Sequence, residues 1–349
     1  MLLSKMVTAQ DKSGGKPPAS SRFCQMMVVT LVLLVVILSL SMLVGANPLP
    51  PRAIWESLHG NGSTEADFVL WTQRIPRSVA GIMVGAALGV AGALVQSFTR
   101  NPLADTGLLG VNAGAAFFVA IGVVFFAISS PAAYVWWACA GAFALTAIVY
   151  TIGAGGGPAA GPVRLTMAGV ALGAVLSGLT TGMTLTNPDA FERMRGWSAG
   201  SLLERDFTVL VPIAPFLLIG LGLAAVIAPR LNALSLGTDV ARAQGVDVGR
   251  TQIMVLASVT LLAGSATAIA GPMVFVGLVV PHVVRWCVGV DQRKILLGSV
   301  LFGPCLLLLS DIIGRIAVLP SEMPVGVVTA FVGAPVLIGL VRRAKATGL

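Results

Sequence analysis

The stretch that decides the fold lies near the C-terminal end, where residues 271–285 read GPMVFVGLVVPHVVR. Apolar sequence continues beyond it, interrupted by Asp311 and Arg315, to residues 322–330, which read EMPVGVVTA. Hydrocarbon cannot satisfy charged side chains or the backbone groups that proline leaves unpaired, so these residues must face protein, water or an interface. The pattern predicts membrane-crossing helices that pack against one another.

The composition of the whole chain agrees with this interpretation. Of its 349 residues, 56% are hydrophobic and 10% are charged, whereas about 25% are charged in a typical soluble domain. A helix needs roughly 20 mostly apolar residues to span the hydrocarbon, and about ten segments qualify. These segments lie near residues 24–45, 76–98, 106–128, 132–153, 163–185, 208–229, 250–271, 274–289, 294–317 and 323–341.

The polar stretches between these segments are too short for a separate soluble domain. The longest are the N-terminal tail and the loop over residues 47–73. We therefore expect one all-α integral membrane domain over residues 24–345, preceded by a cytoplasmic, disordered tail at 1–23. A cleaved secretory signal is the alternative for the N-terminus, but the apolar run from Met26 to Ala46 is longer than the ~7–15 residues of a signal peptide.

The formal charge of +8 raises the question of nucleic-acid binding. With a cytoplasmic N-terminus and ten crossings, most of the 22 cations fall on the cytoplasmic side. Acidic residues such as Glu56, Asp189 and Glu204 fall outside. This asymmetry is typical of positive-inside topology, places both termini in the cytoplasm and leaves no basic face for nucleic acid.

Residues that could perform catalysis or bind metal are not grouped. His59 and His282 lie in separate segments, and Lys16 is followed by Pro17 rather than by the Ser or Thr of a phosphate-binding loop. The four cysteines, in apolar spans, show no metal-ligand spacing and are expected to be packing residues. The sequence predicts a chain that is not an enzyme and binds neither a metal nor a cofactor of its own.

Glycines recur every fourth residue on two predicted spans. Gly81, Gly85 and Gly89 form one stripe on the second span, and two pairs, Gly169 with Gly173 and Gly178 with Gly182, form the other on the fifth. Because lipid tails are as apolar as leucine, membrane helices associate through close packing, which small residues permit. We expect both stripes to contact other helices of the chain.

Five motifs occur in order along the chain. They are RIPR at 74–77, NPLAD at 101–105 with GLLG at 107–110, LG at 236–237 with AR at 241–242, the run at 277–285, and residues 322–330 with GAP at 333–335. Through them the chain, from about Met27 to Arg343, resembles FecCD-type permeases. These are the membrane subunits of ABC importers for iron-siderophores, haem and cobalamin.

The resemblance implies a fold and a set of partners. The fold is the type II importer bundle, similar to that of the cobalamin permease, with about ten transmembrane helices per subunit. The implied partners are a second permease subunit (a copy or a paralogue), two cytoplasmic ATPase subunits that hold ATP and Mg²⁺, and an extracytoplasmic substrate-binding protein. The implied location is the bacterial plasma membrane.

Arg74, Arg77 and Arg315 match family arginines that meet carboxylates of the binding protein, and such pairing steers docking. From the residues alone, Pro76 suits a first helical turn that holds both neighbouring guanidiniums at the membrane surface. Interfacial anchoring is the alternative for Arg74 and Arg77. For Arg315, an internal ion pair competes, because Asp311 lies four residues earlier on the same helical face.

Residues 234–245, LSLGTDVARAQG, predict a short cytoplasmic helix. Thr238 is expected to cap it, Asp239 suits its N-terminus and Gly245 ends it. The alternative is an amphipathic connector on the membrane surface. The resemblance implies a coupling helix near 236–245 that enters a cleft of the ATPase, and its candidate residues are Leu236, Gly237, Thr238, Asp239, Ala241, Arg242 and Gly245.

Gate or pathway candidates lie on two spans. Pro162, Val163 and Arg164 precede the fifth span, where the cobalamin permease has a hydroxyl-rich segment instead, and this difference disfavours a cobalamin cargo. Pro281 and His282 lie in the inner half of the eighth span. A lone histidine is usually structural, although its pKa would also suit a gate sensor.

The leading hypothesis is a permease subunit that takes up an iron-siderophore, or haem, from an external binding protein. A cobalamin permease of the same family is one alternative. Another is an ion-coupled secondary transporter, which needs acidic groups within the membrane and for which Asp311 is the candidate. A membrane-embedded enzyme would need paired catalytic groups, which the sequence lacks.

Overall fold

The computed structural model describes residues 19–45, 48–154, 162–318 and 321–346. Within these ranges the chain forms fourteen α-helices and no strand. They are α1 (Ala19–Leu43), α2 (Pro51–Leu58), α3 (Thr64–Asp67), α4 (Ile75–Thr99), α5 (Val111–Phe126), α6 (Pro131–Ala154), α7 (Pro162–Leu185), α8 (Pro188–Ser198), α9 (Phe207–Ser235), α10 (Thr238–Ala243), α11 (Val248–Ala270), α12 (Val276–Val288), α13 (Gln292–Ala317) and α14 (Val325–Ala346).

The predicted spans correspond to ten apolar helices among the described residues. Seven are long enough to cross a membrane, the second of them being the continuous helical stretch from Thr64 to Thr99. The other three, α5, α12 and α14, contain shorter apolar stretches. The all-α membrane fold is therefore confirmed. Most of the predicted tail, residues 1–18, lies outside the described residues.

Several boundaries differ from the sequence prediction: α5 begins five residues after the predicted 106, and α9 extends six residues past the predicted 229. The segment at 47–73, predicted as a polar loop, contains α2, α3 and a π-helical turn at Phe68–Arg74 that runs into α4. The eighth span is shorter than the predicted 274–289, because Gly271 adopts a positive φ and Pro272 follows it, so that α12 begins only at Val276. The 274–289 stretch is thus partly non-helical, and Val274 in its non-helical part is exposed.

Helix α4 is the centre of the bundle, and its glycine stripe explains why. A Cβ on Gly85 would lie 2.6 Å from the backbone nitrogen of Pro304, and one on Gly89 would lie 2.9 Å from the carbonyl oxygen of Ser299. Both neighbours belong to α13, so the two helices pack backbone against backbone. The predicted contact of this stripe is confirmed.

The other stripe divides into two parts. A Cβ on Gly169 would lie 2.4 Å from the carbonyl oxygen of Leu108 and one on Gly173 would lie 3.6 Å from the Cβ of Ala113, so this pair packs as predicted. The expectation for Gly178 and Gly182 is wrong. A Cβ on Gly178 or Gly182 would meet nothing within 4 Å. Much of α7 is exposed along its length, including Val170, Val175 and Leu179. This helix therefore presents an apolar, small-residue face that the described part of the chain leaves uncovered.

The bundle has two ends that carry different residues. The arginine end holds the start of α4, the end of α13 and the start of α14. The α10 end holds the end of α4, the end of α9 and the start of α11, which line one cavity with Thr238. Because α4 runs from one end to the other and rises ~1.5 Å per residue, its 25 residues separate the two ends by roughly 35 Å.

Candidate docking and coupling sites

Arg77 lies in the first turn of α4, behind Pro76, as the sequence predicts. Its guanidinium binds Asp311 of α13 through two donors: Nε lies 3.1 and 3.0 Å from the two carboxylate oxygens, and Nη2 lies 2.8 Å from Oδ1. The remaining donor, Nη1, lies 2.6 Å from Oε2 of Glu322. One guanidinium therefore joins α4, α13 and the residues before α14.

Arg315 binds the same aspartate from the other side. Its Nη2 and Nε lie 2.5 and 3.0 Å from Oδ2 of Asp311, which confirms the ion pair that the four-residue spacing predicts. Nη1 also donates to the carbonyl oxygens of Ser41 and Val44 at the end of α1. Asp311 therefore bridges two guanidiniums, which offsets much of the cost of burying its charge.

Arg74 lies in the π-helical turn and donates from Nη1 to the carbonyl oxygen of Met42. Arg74, Arg77 and Arg315 are 5%, 9% and 2% exposed, respectively. The guanidiniums of Arg74 and Arg77 lie at the arginine end of the bundle but turn inward, so both side chains are largely buried. The structure brings the three predicted docking arginines to one end of the bundle, where Arg77 and Arg315 both bind Asp311.

The exposed edge of this cluster is the bond between Arg77 and Glu322, whose side chains are 11% and 22% exposed. It borders a cavity of about 460 Å³, called here the outer pocket, whose charged lining residues are Arg77, Arg193, Glu204, Arg205 and Glu322. Arg205 lies between spans and donates from Nε to the carbonyl oxygen of Ile269 at 2.5 Å. Burial lowers the pKa of Arg205, and the carboxylates of Glu204 and Asp206 oppose that shift.

At the opposite end, α10 is a six-residue helix between two glycines with positive φ. Gly237 (φ 121°) precedes it, and Gly245 (φ 77°) lies just beyond its end, as predicted. The prediction that Thr238 caps the helix is wrong: Thr238 is its first residue, and no side chain accepts a hydrogen bond at the cap. The residue at the cap is Gly237, whose positive φ is a backbone conformation that residues with a side chain rarely adopt.

The exposed residues of the segment that carries α10 are both apolar and charged. Leu236 is 66% exposed and Val240 is 43% exposed, whereas Ala241 is buried against the bundle. Asp239 and Arg242 form an ion pair of 3.5 Å in solvent, which contributes little stability. The predicted coupling residues thus divide into an inward-facing anchor, Ala241, and exposed residues available to a partner.

The predicted gate residues separate into two groups. Pro162 is the first residue of α7 and Arg164 is exposed, while Val163 lines a cavity of about 220 Å³ together with Thr238 and Arg100. The start of α7 and the coupling segment therefore meet. Pro281 and His282 do not line this cavity.

Pro281 is buried within α12, and His282 packs edge-on against Trp286 with their ring centroids 4.9 Å apart. Within the residues that the structure describes, Nδ1 of His282 has no hydrogen-bond partner. Nor do any three His, Cys, Asp or Glu side chains in the described ranges converge in a way that could hold a metal ion.

Gln96 is a polar residue that the sequence analysis missed. It is buried in α4 and donates from Nε2 to the carbonyl oxygens of Gly277 and Leu278, at 3.3 and 3.2 Å. Its Oε1 accepts a hydrogen bond of 3.0 Å from Nη2 of Arg285. The available signal was an uncharged amide within an otherwise apolar span, where a polar side chain needs a partner.

A second polar chain links α4 to the end of α9. Ser97 donates to Oε1 of Gln292 at 2.7 Å, and the backbone nitrogen of Gln292 donates to Oδ1 of Asn232. Asn232 in turn donates to Asp291, the residue that caps α13. These bonds connect the end of α4, the end of α9 and the start of α13, and α9 leads directly into the segment that carries α10.

Comparison with known proteins identifies the relatives of this chain. The FecCD transport family model matches residues 31–343. The ferric enterobactin transport system permease protein FepD of Escherichia coli (strain K12) is 49% identical over 90% of this chain and 93% of that protein. The hemin transport system permease protein HmuU of Yersinia pestis is 35% identical over 92% of this chain and 96% of that protein.

The fold is also found among solved structures. A metal-chelate type ABC transporter in an inward-facing conformation superposes with a TM-score of 0.80 and covers 92% of this chain and 99% of its own. At 24% identity this likeness supports the fold alone. The match to the family model and the near-complete coverage of the permease relatives establish that this chain belongs to the FecCD transport family, whose members are permease subunits of ABC transporters and not enzymes.

Proposed function

We propose that this chain is the permease subunit of an ABC importer that takes up a ferric siderophore delivered by an extracytoplasmic binding protein. The cargo assignment rests on one observation: the 49% identity, over nearly the whole length of both chains, to a ferric enterobactin permease. An importer also needs a surface that receives the binding protein and a surface that contacts the ATPase, and we assign these surfaces to the two ends of the bundle.

The arginine end is the extracytoplasmic surface, and both termini are cytoplasmic. The charge distribution supports this orientation, because cations concentrate on the loops that share a side with α10. In this orientation Arg74, Arg77 and Arg315 form the electropositive centre to which acidic residues of the binding protein dock. Arg77 is the residue of the three nearest the outer pocket.

The α10 end contacts the ATPase subunits, which hold ATP and Mg²⁺. Leu236 and Val240 insert into a cleft of the ATPase, and burial of apolar surface supplies affinity. Rotation of the cleft then moves α10 with α9 and α11, between which it lies. Because Thr238 and Val163 share a cavity, that motion reaches the start of α7.

The translocation pathway lies between two permease subunits, and α7 lines it. Support comes from the exposed face of α7, where Gly178 and Gly182 have no neighbour within 4 Å of an added Cβ. A large chelate needs a smooth, wide passage, which small and apolar residues provide. Pro162, Val163 and Arg164 stand at the inner end of this helix as gate candidates, with Pro281 and His282 farther away on α12.

An ion-coupled mechanism gains no support from Asp311. Both of its carboxylate oxygens already bind guanidinium groups, at 2.5–3.1 Å. A coupling-ion site needs acidic or carbonyl oxygens that can release and rebind a cation, and a carboxylate held by two permanently charged arginines cannot do so.

Reconstitution in vesicles tests the proposal. Permease, second permease subunit, ATPase and binding protein would be combined, and uptake of ⁵⁵Fe-labelled ferric siderophore measured with internal ATP. We expect uptake that requires every component. The variant Leu236→Ser should weaken ATPase association about tenfold or more, because burying a leucine is worth ~1.5–3 kcal/mol.

Leu58→Ser provides the matched control, because Leu58 is also exposed but lies on α2, before α4 at the arginine end. This variant should bind the ATPase normally. Uptake driven by an ion gradient without ATP would contradict the ABC mechanism. Transport of haem but not of ferric siderophore would leave the mechanism intact and overturn the cargo assignment.

A further inference from the structure

The guanidinium of Arg77 has one edge that a docking partner can reach. Its inner edge, Nε and Nη2, is held by Asp311, which is 2% exposed. Its other terminal nitrogen, Nη1, is occupied by Glu322, and both residues line the outer pocket. An incoming carboxylate therefore cannot bind Arg77 in its usual bidentate manner while Glu322 remains in place.

We propose that Glu322 occupies the position on Arg77 that a carboxylate of the binding protein takes on docking, so that docking exchanges one carboxylate for another. The inference rests on the proposed function and adds a residue to it. Glu322 acts by competing for Arg77, and it lowers the affinity of the complex.

Electrostatics favour exchange over shared binding. Two carboxylates close enough to bind the same nitrogen repel each other, and the guanidinium already compensates the charge of Asp311. Glu322 is the more movable of the two internal carboxylates. It is partly exposed and makes a single bond to Arg77, whereas Asp311 is buried and receives five hydrogen bonds from two arginines.

Competition of this kind suits a delivery reaction. An unoccupied guanidinium in the outer pocket would hold the binding protein tightly after the cargo has left it. With Glu322 as a competitor, the bond lost on docking resembles the bond gained. Arg77 therefore orients the binding protein while adding little to the affinity of the complex. Release then requires only that Glu322 return to Nη1.

The test is the affinity of the assembled transporter, in lipid nanodiscs, for the binding protein. Glu322→Gln removes the competing charge and should tighten binding about tenfold, a change equivalent to ~1.4 kcal/mol. The matched control is Glu192→Gln, which removes the same charge from α8 in a solvent-exposed ion pair with Arg195. We expect the control to stay within about twofold.

A double variant connects the effect to Arg77. In the Arg77→Gln background, Glu322→Gln should give no further gain, because the site of competition is gone. Arg77→Lys serves as a second background if Arg77→Gln fails to assemble; it retains the charge but not the planar edge, so Glu322→Gln should there give a smaller gain than in the parent protein.

Unchanged or weaker binding by Glu322→Gln overturns the exchange, as does an equal gain from Glu192→Gln. In either case docking at Arg77 survives if the Arg77 variants bind weakly. The proposed docking role fails separately, if both Arg77 variants bind the binding protein with normal affinity.

Discussion

Asp311 is the residue on which the arginine end depends. It is buried in α13 and compensates the charges of Arg77 and Arg315 at once. Removing one partner of a buried ion pair leaves an uncompensated charge that the surrounding protein cannot solvate. Here a single change would leave two guanidiniums without their central carboxylate.

Asp311→Asn should therefore lower the free energy of unfolding by about 3–5 kcal/mol. Thermal unfolding of the detergent-solubilised subunit would measure this loss. Glu56→Gln is the matched control, because Glu56 forms an ion pair of the same i, i+4 spacing with Arg52 but in solvent. The control should cost less than about 1 kcal/mol. Equal stability of the two variants would contradict the bridging role of Asp311.

The spacing of Asp311 and Arg315 was enough to predict their pairing. The bond from Arg77 to Asp311 could not be predicted in the same way, because 234 residues separate them and only the packing of α4 on α13 brings them together. The inward direction of Arg74 and Arg77 depends on the same packing. Sequence alone therefore identified the charged residues but not their burial.

At the scale of the helix, glycine pairs of identical spacing can have opposite surroundings. Gly85 in α4 faces the backbone of α13, whereas Gly178 in α7 faces open space. The repeat shows that a helix can approach a neighbour closely, and only the fold determines whether a neighbour is present. For this reason the prediction for α7 failed at Gly178 and Gly182, whereas it is confirmed at Gly169 and Gly173.

Substitution by alanine should separate the two stripes. Gly85→Ala places a Cβ 2.6 Å from Pro304 and should destabilise the subunit by about 1–3 kcal/mol, the cost of overpacking. Gly178→Ala adds a methyl group without a clash and improves helix propensity, so stability should stay unchanged or rise by up to ~1 kcal/mol. Unfolding of the solubilised subunit by increasing fractions of a denaturing detergent would measure both. Comparable losses from both would show that α7 is packed against a neighbour after all.

The molecule as a whole separates its two sites by the length of α4. The number and order of the apolar helices could be predicted from hydropathy, because each span is an independent stretch of apolar sequence. The polar bonds that fasten the spans together, such as those of Gln96 to α12, could not be predicted, because they join residues far apart in the chain.

The separation of the two ends predicts opposite accessibility to a membrane-impermeant thiol reagent. In a background without the four native cysteines, Glu192→Cys would place a thiol on α8, and Asp239→Cys would place one on α10; both native side chains are well exposed. Glu192→Cys should react in intact cells whose outer membrane has been removed. Asp239→Cys should react only after the plasma membrane is permeabilised, because α10 lies at the other end of α4 and the cations concentrate there. Reaction of both thiols from the same side would mean that α9, which connects α8 to α10, does not cross the membrane. The proposed assignment of one end of the bundle to the binding protein and the other to the ATPase would then fail.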